Sequence, residues 1–416
     1  MAITTTRADT MYYGWLIVAG AFIAQFFVTG FFTYGFPLIV MPVQLEFDVS
    51  RTEVMYGITW ATALGLVVAP LIGILADKWS IKNLMAIGAV SLGLGLILLS
   101  KSESILQFSL LFALFICLSN NLLGPLTGST VVSRWFSTSR GKALGIAAVG
   151  TSMGGLIIPY MVDLGIANIG WRDMLFYFGL TVLIILLPYL LLAVRDFPSD
   201  KGLSGEPQAA EVINNQSAGE AADGPDLSTR EVLAIPAFWF IGATLGFLFM
   251  SQTGVLTNIG AYMAGEGLAD KTKTFIQILA GMGLIGKLLF GYAADRINLK
   301  LGLWAAIVLA SIGVAILASQ PAFNFMLVAA VFLGLATGGM LPVWGAIIAV
   351  VFGMKSYGRV MGAMMPLIAL MVMPGPIIGA KLFDIYGNYV NSFYLFIAVL
   401  SLAFICLIPL KLKRLD

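Results

Sequence analysis

The sequence predicts an all-α membrane protein of twelve transmembrane helices, arranged as two pseudo-symmetric six-helix bundles. Three observations carry that prediction. Hydrophobic residues make up 59% of the 416 residues and charged residues 11%, far from the proportions of soluble domains. Apolar runs of about 20 residues, enough to cross the hydrocarbon of a bilayer, recur along the whole chain. One motif at a helix end occurs twice, and its aspartates, Asp77 and Asp295, are 218 residues apart.

The apolar runs lie near 14–36, 54–76, 83–100, 106–134, 142–165, 173–194, 237–263, 273–294, 302–319, 323–352, 359–382 and 391–411. The first follows a short, weakly charged segment and is too long for a signal-peptide core, so it reads as a retained helix. Cytoplasmic loops hold the excess of Lys and Arg. With the N-terminus inside, 16 of the 23 basic residues fall on the cytoplasmic side and six outside (Arg51, Lys101, Arg172, Lys271, Lys273 and Lys381), leaving Lys287 within a span. Both termini are therefore expected in the cytoplasm, with the chain in the cell (inner) membrane. All 21 acids can be placed in loops or at helix ends and there is no histidine, so no intramembrane proton carrier is evident. Cys117 and Cys406 fall within spans and read as small apolar fillers rather than a disulfide. No cofactor is expected, and a net charge of +2 gives no pull toward nucleic acid.

In chain order, the first helix carries Gln25, Thr29 and Thr33 four residues apart on one face, then Tyr34, and is expected to break at Pro37 and Pro42. Such a stripe serves helix–helix hydrogen bonding as readily as substrate contact. The fourth helix carries Ser119, Asn120 and Asn121 before Gly124 and Pro125. Adjacent asparagines point about 100° apart on a helix, so at most one of Asn120 and Asn121 faces a central cavity. In the seventh helix Gln252, Thr253 and Asn258 are open to the same two readings. Gly338-Gly339 in the tenth, and Met365-Pro366 and Pro374-Gly375-Pro376 in the eleventh, read first as breaks that let helices bend. The eighth span carries Lys287 about two turns from its Asp295 end, with Ala280, Gly283, Gly291 and Ala294 at helical spacing around it. A lysine there either snorkels to the headgroups or faces a cavity between helices, where intramembrane charges mark a substrate path.

The repeated motif is G-x-x-A-D-[KR]-x-x-x-K, at Gly73 to Lys82 and again at Gly291 to Lys300. Phe136, Gly141 and Gly145 are echoed by Phe352, Gly358 and Gly362 at offsets of 216 to 217. Two matches at nearly one offset indicate a duplicated six-helix unit, the plan of transporters with a midplane site between repeats. The expected bundles are 1–195 and 232–416, joined by a flexible cytoplasmic linker at 196–231 that is rich in Gly, Ser, Asn, Ala and acids. Ser228 and Glu231 have capping-box spacing and predict a short helix that stops before Pro236.

The two motif copies resemble the loop motif of the major facilitator superfamily, G-x-L-A-D-R-x-G-R-K. Here Ser80 and Asn298 replace its second glycine, and Ile81 and Leu299 replace the first arginine of its basic pair. The resemblance implies the major facilitator fold and a gating role for Asp77, Lys78, Asp295 and Arg296. Three further stretches resemble the monocarboxylate and oxalate:formate transporter branch. They are R-W-F-x-x-x-R-G-x-A-x-G from Arg134 to Gly145, T-x-E-x-L-x-x-P-x-F-W from Thr229 to Trp239, and K-x-x-x-G from Lys287, where the branch generally has arginine. By that likeness Arg140 joins the gating group, Lys287 takes the position that binds the substrate carboxylate, and Asn258 and Tyr34 match further substrate contacts. Gly283 stands where animal members carry an acidic residue, so their proton-relay pair is absent.

A channel would not need duplicated latch motifs. A membrane enzyme would need a nucleophile with a base, or a metal cluster, and the residues for either are missing; a receptor without transport is separable only by a transport assay. The expectation is a secondary carrier of small organic anions, a monocarboxylate such as lactate or pyruvate first and an organic-anion exchanger as the alternative. It is expected to work as a monomer in the lipid bilayer, with a proton as the coupled ion. One intramembrane cation balances one carboxylate, so monoanions should be preferred to dianions. Burial disfavours the charged form of an amine and a nearby anion restores it, so a single lysine would suffice to bind an anion together with a proton. Arginine stays charged and would not.

Overall fold

The computed structural model describes residues 12–136, 139–203, 227–294, 298–353 and 356–410. Ten stretches among them are long and apolar enough to cross a membrane. One of these, Lys142–Ala193, is two helices joined at Gly170, and the shorter Val390–Cys406 completes a set of twelve. They are α1 (Gly14–Phe47), α2 (Arg51–Lys78), α3 (Ile81–Ser100), α4 (Ile105–Trp135), α5 (140–169), α6 (171–193), α7 (Pro236–Gly265), α8 (Thr272–Ala294), α9 (Leu299–Ala318), α10 (Phe323–Phe352), α11 (Tyr357–Val372 and Pro374–Tyr386) and α12 (Val390–Cys406). Gly170 has φ of 79°, a left-handed value that only glycine takes without cost, so the chain reverses there within one residue. We call the face where α1 begins and α12 ends the near face, and the opposite one the far face.

Three expectations about breaks fail. α1 does not stop at Pro37 or Pro42 but runs on to Phe47. A π-helical turn at Gly30–Gly35 precedes Pro37 and resets the hydrogen-bond register. Pro37 then falls in the first turn of the next α-helical segment, where a missing N–H leaves nothing unsatisfied. Gly338 and Gly339 do not break α10, which is one continuous helix. They let α8 approach instead. A Cβ on Gly338 would collide with the Gly283 carbonyl and the Lys287 backbone nitrogen, and one on Gly339 with the Phe290 ring. Gly283 thus faces α10 rather than a cavity. Met365-Pro366 does not break α11, since Pro366 lies inside Tyr357–Val372. The expected interruption at Pro374 does occur, at Met373, and α4 is interrupted at Gly124 before Pro125, where no break was expected.

The two halves meet along three helix pairs in the far half of the bundle. α1 meets α7, where Gly260 lies so close to the Pro37 carbonyl that no Cβ fits. α2 meets α11, where the backbone N–H and hydroxyl of Thr52 donate to Asp384 Oδ2 at 3.2 and 2.5 Å. α5 meets α8 along a longer seam. Toward the near face, by contrast, Gly73, Gly145 and Gly362 have open space where a Cβ would stand. Between the halves, Ser228 and Glu231 form the expected capping box, which starts the short helix Thr229–Ala234.

Candidate functional site

Lys287 owes its direction to the glycines that fix the rotation of α8. Gly283 and Gly286 face the α10 backbone, and Lys287, one residue past Gly286, turns toward α5. On α5, Gly150 and Gly154 have no room for a Cβ beside the Phe22 and Phe26 carbonyls of α1. Thr151 and Gly155, one position on in each case, therefore face the other way, toward α8. The ammonium of Lys287 donates to Thr151 Oγ1 at 2.6 Å and to Ser152 Oγ at 2.9 Å. It has no carboxylate partner among the described residues.

The two hydroxyls are not equivalent. Thr151 donates its own proton to the Ala148 carbonyl at 2.9 Å, so toward Lys287 it acts only as an acceptor. Ser152 is 2% exposed and has no acceptor for its proton among the described residues. Its O–H remains available to a ligand that reaches the ammonium.

The seam continues from Lys287 toward the far face. Ala280 and the ring of Tyr34 both press on Gly155, where an added Cβ would meet them at 2.5 and 2.9 Å. Gln277 Nε2 donates to the Leu156 carbonyl at 2.8 Å. At the far end Lys273 Nζ pairs with Asp163 Oδ2 at 2.5 Å. Asp163 thus lies within α5 rather than at a helix end, seven residues before Gly170, and the pair compensates its charge there.

Of the residues singled out from the sequence, the structure places Lys287 and Tyr34 on this one seam. Asn258 is buried elsewhere, at the junction of α7, α11 and α12. It donates to the Gly254 and Pro376 carbonyls at 2.9 and 3.1 Å and accepts from Tyr389 at 3.3 Å. Asn121 donates to the Cys117 carbonyl of its own helix at 2.9 Å and lies beside Gly65 of α2. Asn120 is half-buried in the last turn before the Gly124 break. The side chains of Asp77, Lys78 and Arg140, and all of Asp295 and Arg296, lie outside the described residues. Sequence reasoning missed Thr151 and Ser152. The available signal was a pair of hydroxyls flanked by Gly150 and Gly154 within an otherwise apolar span, but nothing in it named Lys287 as their partner.

The family model of the Major Facilitator Superfamily matches residues 21–286 and 275–415. An MFS-type transporter of Aspergillus fumigatus is 24% identical over 77% of this chain and 74% of its own. Human monocarboxylate transporter 11 is 25% identical over 92% of this chain and 80% of its own. Among solved structures, a bacterial homologue of the human lysosomal transporter Spinster, in an inward-facing and unoccupied conformation, superposes with a TM-score of 0.74 at 13% identity, covering 96% of this chain and 97% of that one.

Proposed function

The chain belongs to the major facilitator superfamily, and from that premise we propose that it carries small organic anions by alternating access, monocarboxylates of the lactate and pyruvate type first, together with a proton. The observation that carries this reading is Lys287, a cation inside the membrane, on the seam between the halves, with neutral hydroxyls for partners. An anion entering a low-dielectric site loses hydration worth several kcal/mol, and a cation not already neutralised is what offsets it. The likeness to human monocarboxylate transporter 11 supports the same substrate class.

In this reading the Lys287 ammonium holds the carboxylate, Ser152 donates to it, and Tyr34 borders the site. At most one of Asn120 and Asn121 completes the site from α4, and Asn258, away from the α5–α8 seam, holds α7 against α11. Asp77, Lys78, Arg140, Asp295 and Arg296 work the cytoplasmic gate and leave affinity alone. The near face is the cytoplasmic one, so the far-half contacts close the outer gate.

Exchange of anions without a proton is the second reading, favoured by one detail. Thr151 and Ser152 solvate the ammonium in the absence of substrate, which helps it stay charged when the site is empty. Counterflow of labelled lactate in proteoliposomes tests the carrier reading. Wild-type protein should accumulate label against preloaded lactate; label that binds without crossing would indicate a receptor.

A further inference from the structure

Arg51 begins α2 at the far face, and α2 there meets α11 of the other half. It is 5% exposed. Its guanidinium carbon lies over the Phe383 ring, 3.5 Å from the ring centre, and 5.5 Å from that of Tyr389. Among the described residues Nε and Nη1 are buried without a hydrogen-bond acceptor. Asp384 accepts from Thr52 and Glu53 from Ser50 in the capping box of α2, and neither forms an ion pair with Arg51. Burial pushes the Tyr389 phenol up to about 12, so near neutral pH it is protonated and supplies no counter-charge.

A guanidinium over an aromatic face gains about 0.5–2 kcal/mol, whereas the burial of an ion without a partner costs several. The closed far gate therefore holds, between the halves, a buried cation with no direct ion pair among the described residues. When α2 and α11 part, that cation loses its aromatic cover and exposes its guanidinium, whose Nε–Nη2 and Nη1–Nη2 edges suit a carboxylate. Resting on the proposed carrier function, we infer that Arg51 is a second anion station, at the far mouth, which takes the carboxylate when the far gate is open and hands it on to Lys287.

The test uses the full chain in proteoliposomes. Phenylglyoxal modifies accessible guanidinium groups, and mass spectrometry reads the modification of Arg51 with and without lactate. Arg51 should be modified and lactate should protect it about tenfold, in Lys287→Gln as well as in wild type, because the station stands apart from the central site. Absence of modification would mean that the gate never uncovers Arg51, and modification indifferent to lactate would mean that no carboxylate rests there; either result overturns the inference. Lactate uptake then separates a station from a simple fastener. Arg51→Gln should raise KM for entry from the far face about tenfold and leave entry from the near face within about twofold. Arg51→Lys keeps the charge but loses the fork and the aromatic contact, so its KM for entry from the far face should fall between wild type and Arg51→Gln. Equal impairment of Arg51→Lys and Arg51→Gln would reduce the residue to a gate fastener. If Lys287→Gln instead carries lactate normally, the central reading fails while the labelling of Arg51 still answers its own question.

Discussion

Lys273 and Lys287 lie on one stripe of α8, fourteen residues or about 21 Å of helix rise apart, and both reach across to α5. Lys273 meets a carboxylate, Asp163; Lys287 meets the hydroxyls of Thr151 and Ser152. The same residue type, crossing the same seam, is thus neutralised at the far face and, among the described residues, meets only neutral partners at depth. The first arrangement is complete and serves to hold two helices together. The second leaves the cation's charge for an anion to balance. What separates a fastening from a binding site here is the partner's charge, not the lysine.

Removal of the deeper cation should have the largest effect. Lys287→Gln keeps hydrogen bonding but loses the charge that offsets several kcal/mol of anion desolvation. Lactate binding and counterflow should fall more than about a hundredfold. Normal transport by this variant would erase the contrast between the two lysines.

Lys287→Arg sharpens it. The charge remains, so exchange of labelled lactate for unlabelled lactate should persist. Arginine cannot release its proton in a protein, so uphill uptake driven by an inward proton gradient should be lost. Accumulation at the wild-type level would show that the proton travels elsewhere and would favour the simple exchanger.

The hydroxyl pair makes a smaller and asymmetric prediction. Ser152 has a proton to offer and Thr151 does not, so Ser152→Ala should weaken lactate affinity about tenfold, the worth of one charge-assisted hydrogen bond. Thr151→Val removes an acceptor from the ammonium but no contact with the anion, and should cost less. Equilibrium binding of labelled lactate to both variants decides it; the reverse order would mean that Thr151, not Ser152, faces the substrate.

The elements of this comparison were not equally legible in the sequence. Twelve apolar runs and the twin motifs at Asp77 and Asp295 declare the fold, because bilayer thickness sets helix length and duplication repeats its spacing. Lys287 stands out for the same reason, as a charge in an apolar run. Its partners do not, since Thr151 lies 136 residues away and meets it only through glycines whose close approach to neighbouring backbones rotates α5 and α8 into register. Gly338 read as a bend and proved to be one of those contacts. Asn258 shows the complementary limit: spacing places an amide within a helix but cannot say that the carbonyls of Gly254 and Pro376 and the hydroxyl of Tyr389 occupy it.

Breaking the outer fastening should have the smallest effect. The side chains of Asp163 and Lys273 are 24% and 32% exposed, and partly solvated pairs contribute about 0.5–1 kcal/mol. The pair joins α5 to α8 only while the far ends are together, so its energy bears on the balance between gate states rather than on the substrate site. Asp163→Asn should therefore shift that balance toward the far-open state by about two- to fivefold, with lactate affinity at the central site little changed. Spin-label distances between the far ends of α5 and α8 would report the shift as a grown population at longer separation. An unchanged distribution would mean that Ala280 on Gly155, Gln277 on Leu156 and the α2–α11 contacts hold the gate without the ion pair. A fall in lactate affinity matching that of Ser152→Ala would mean that the two lysines act as one site, and the distinction between them would collapse.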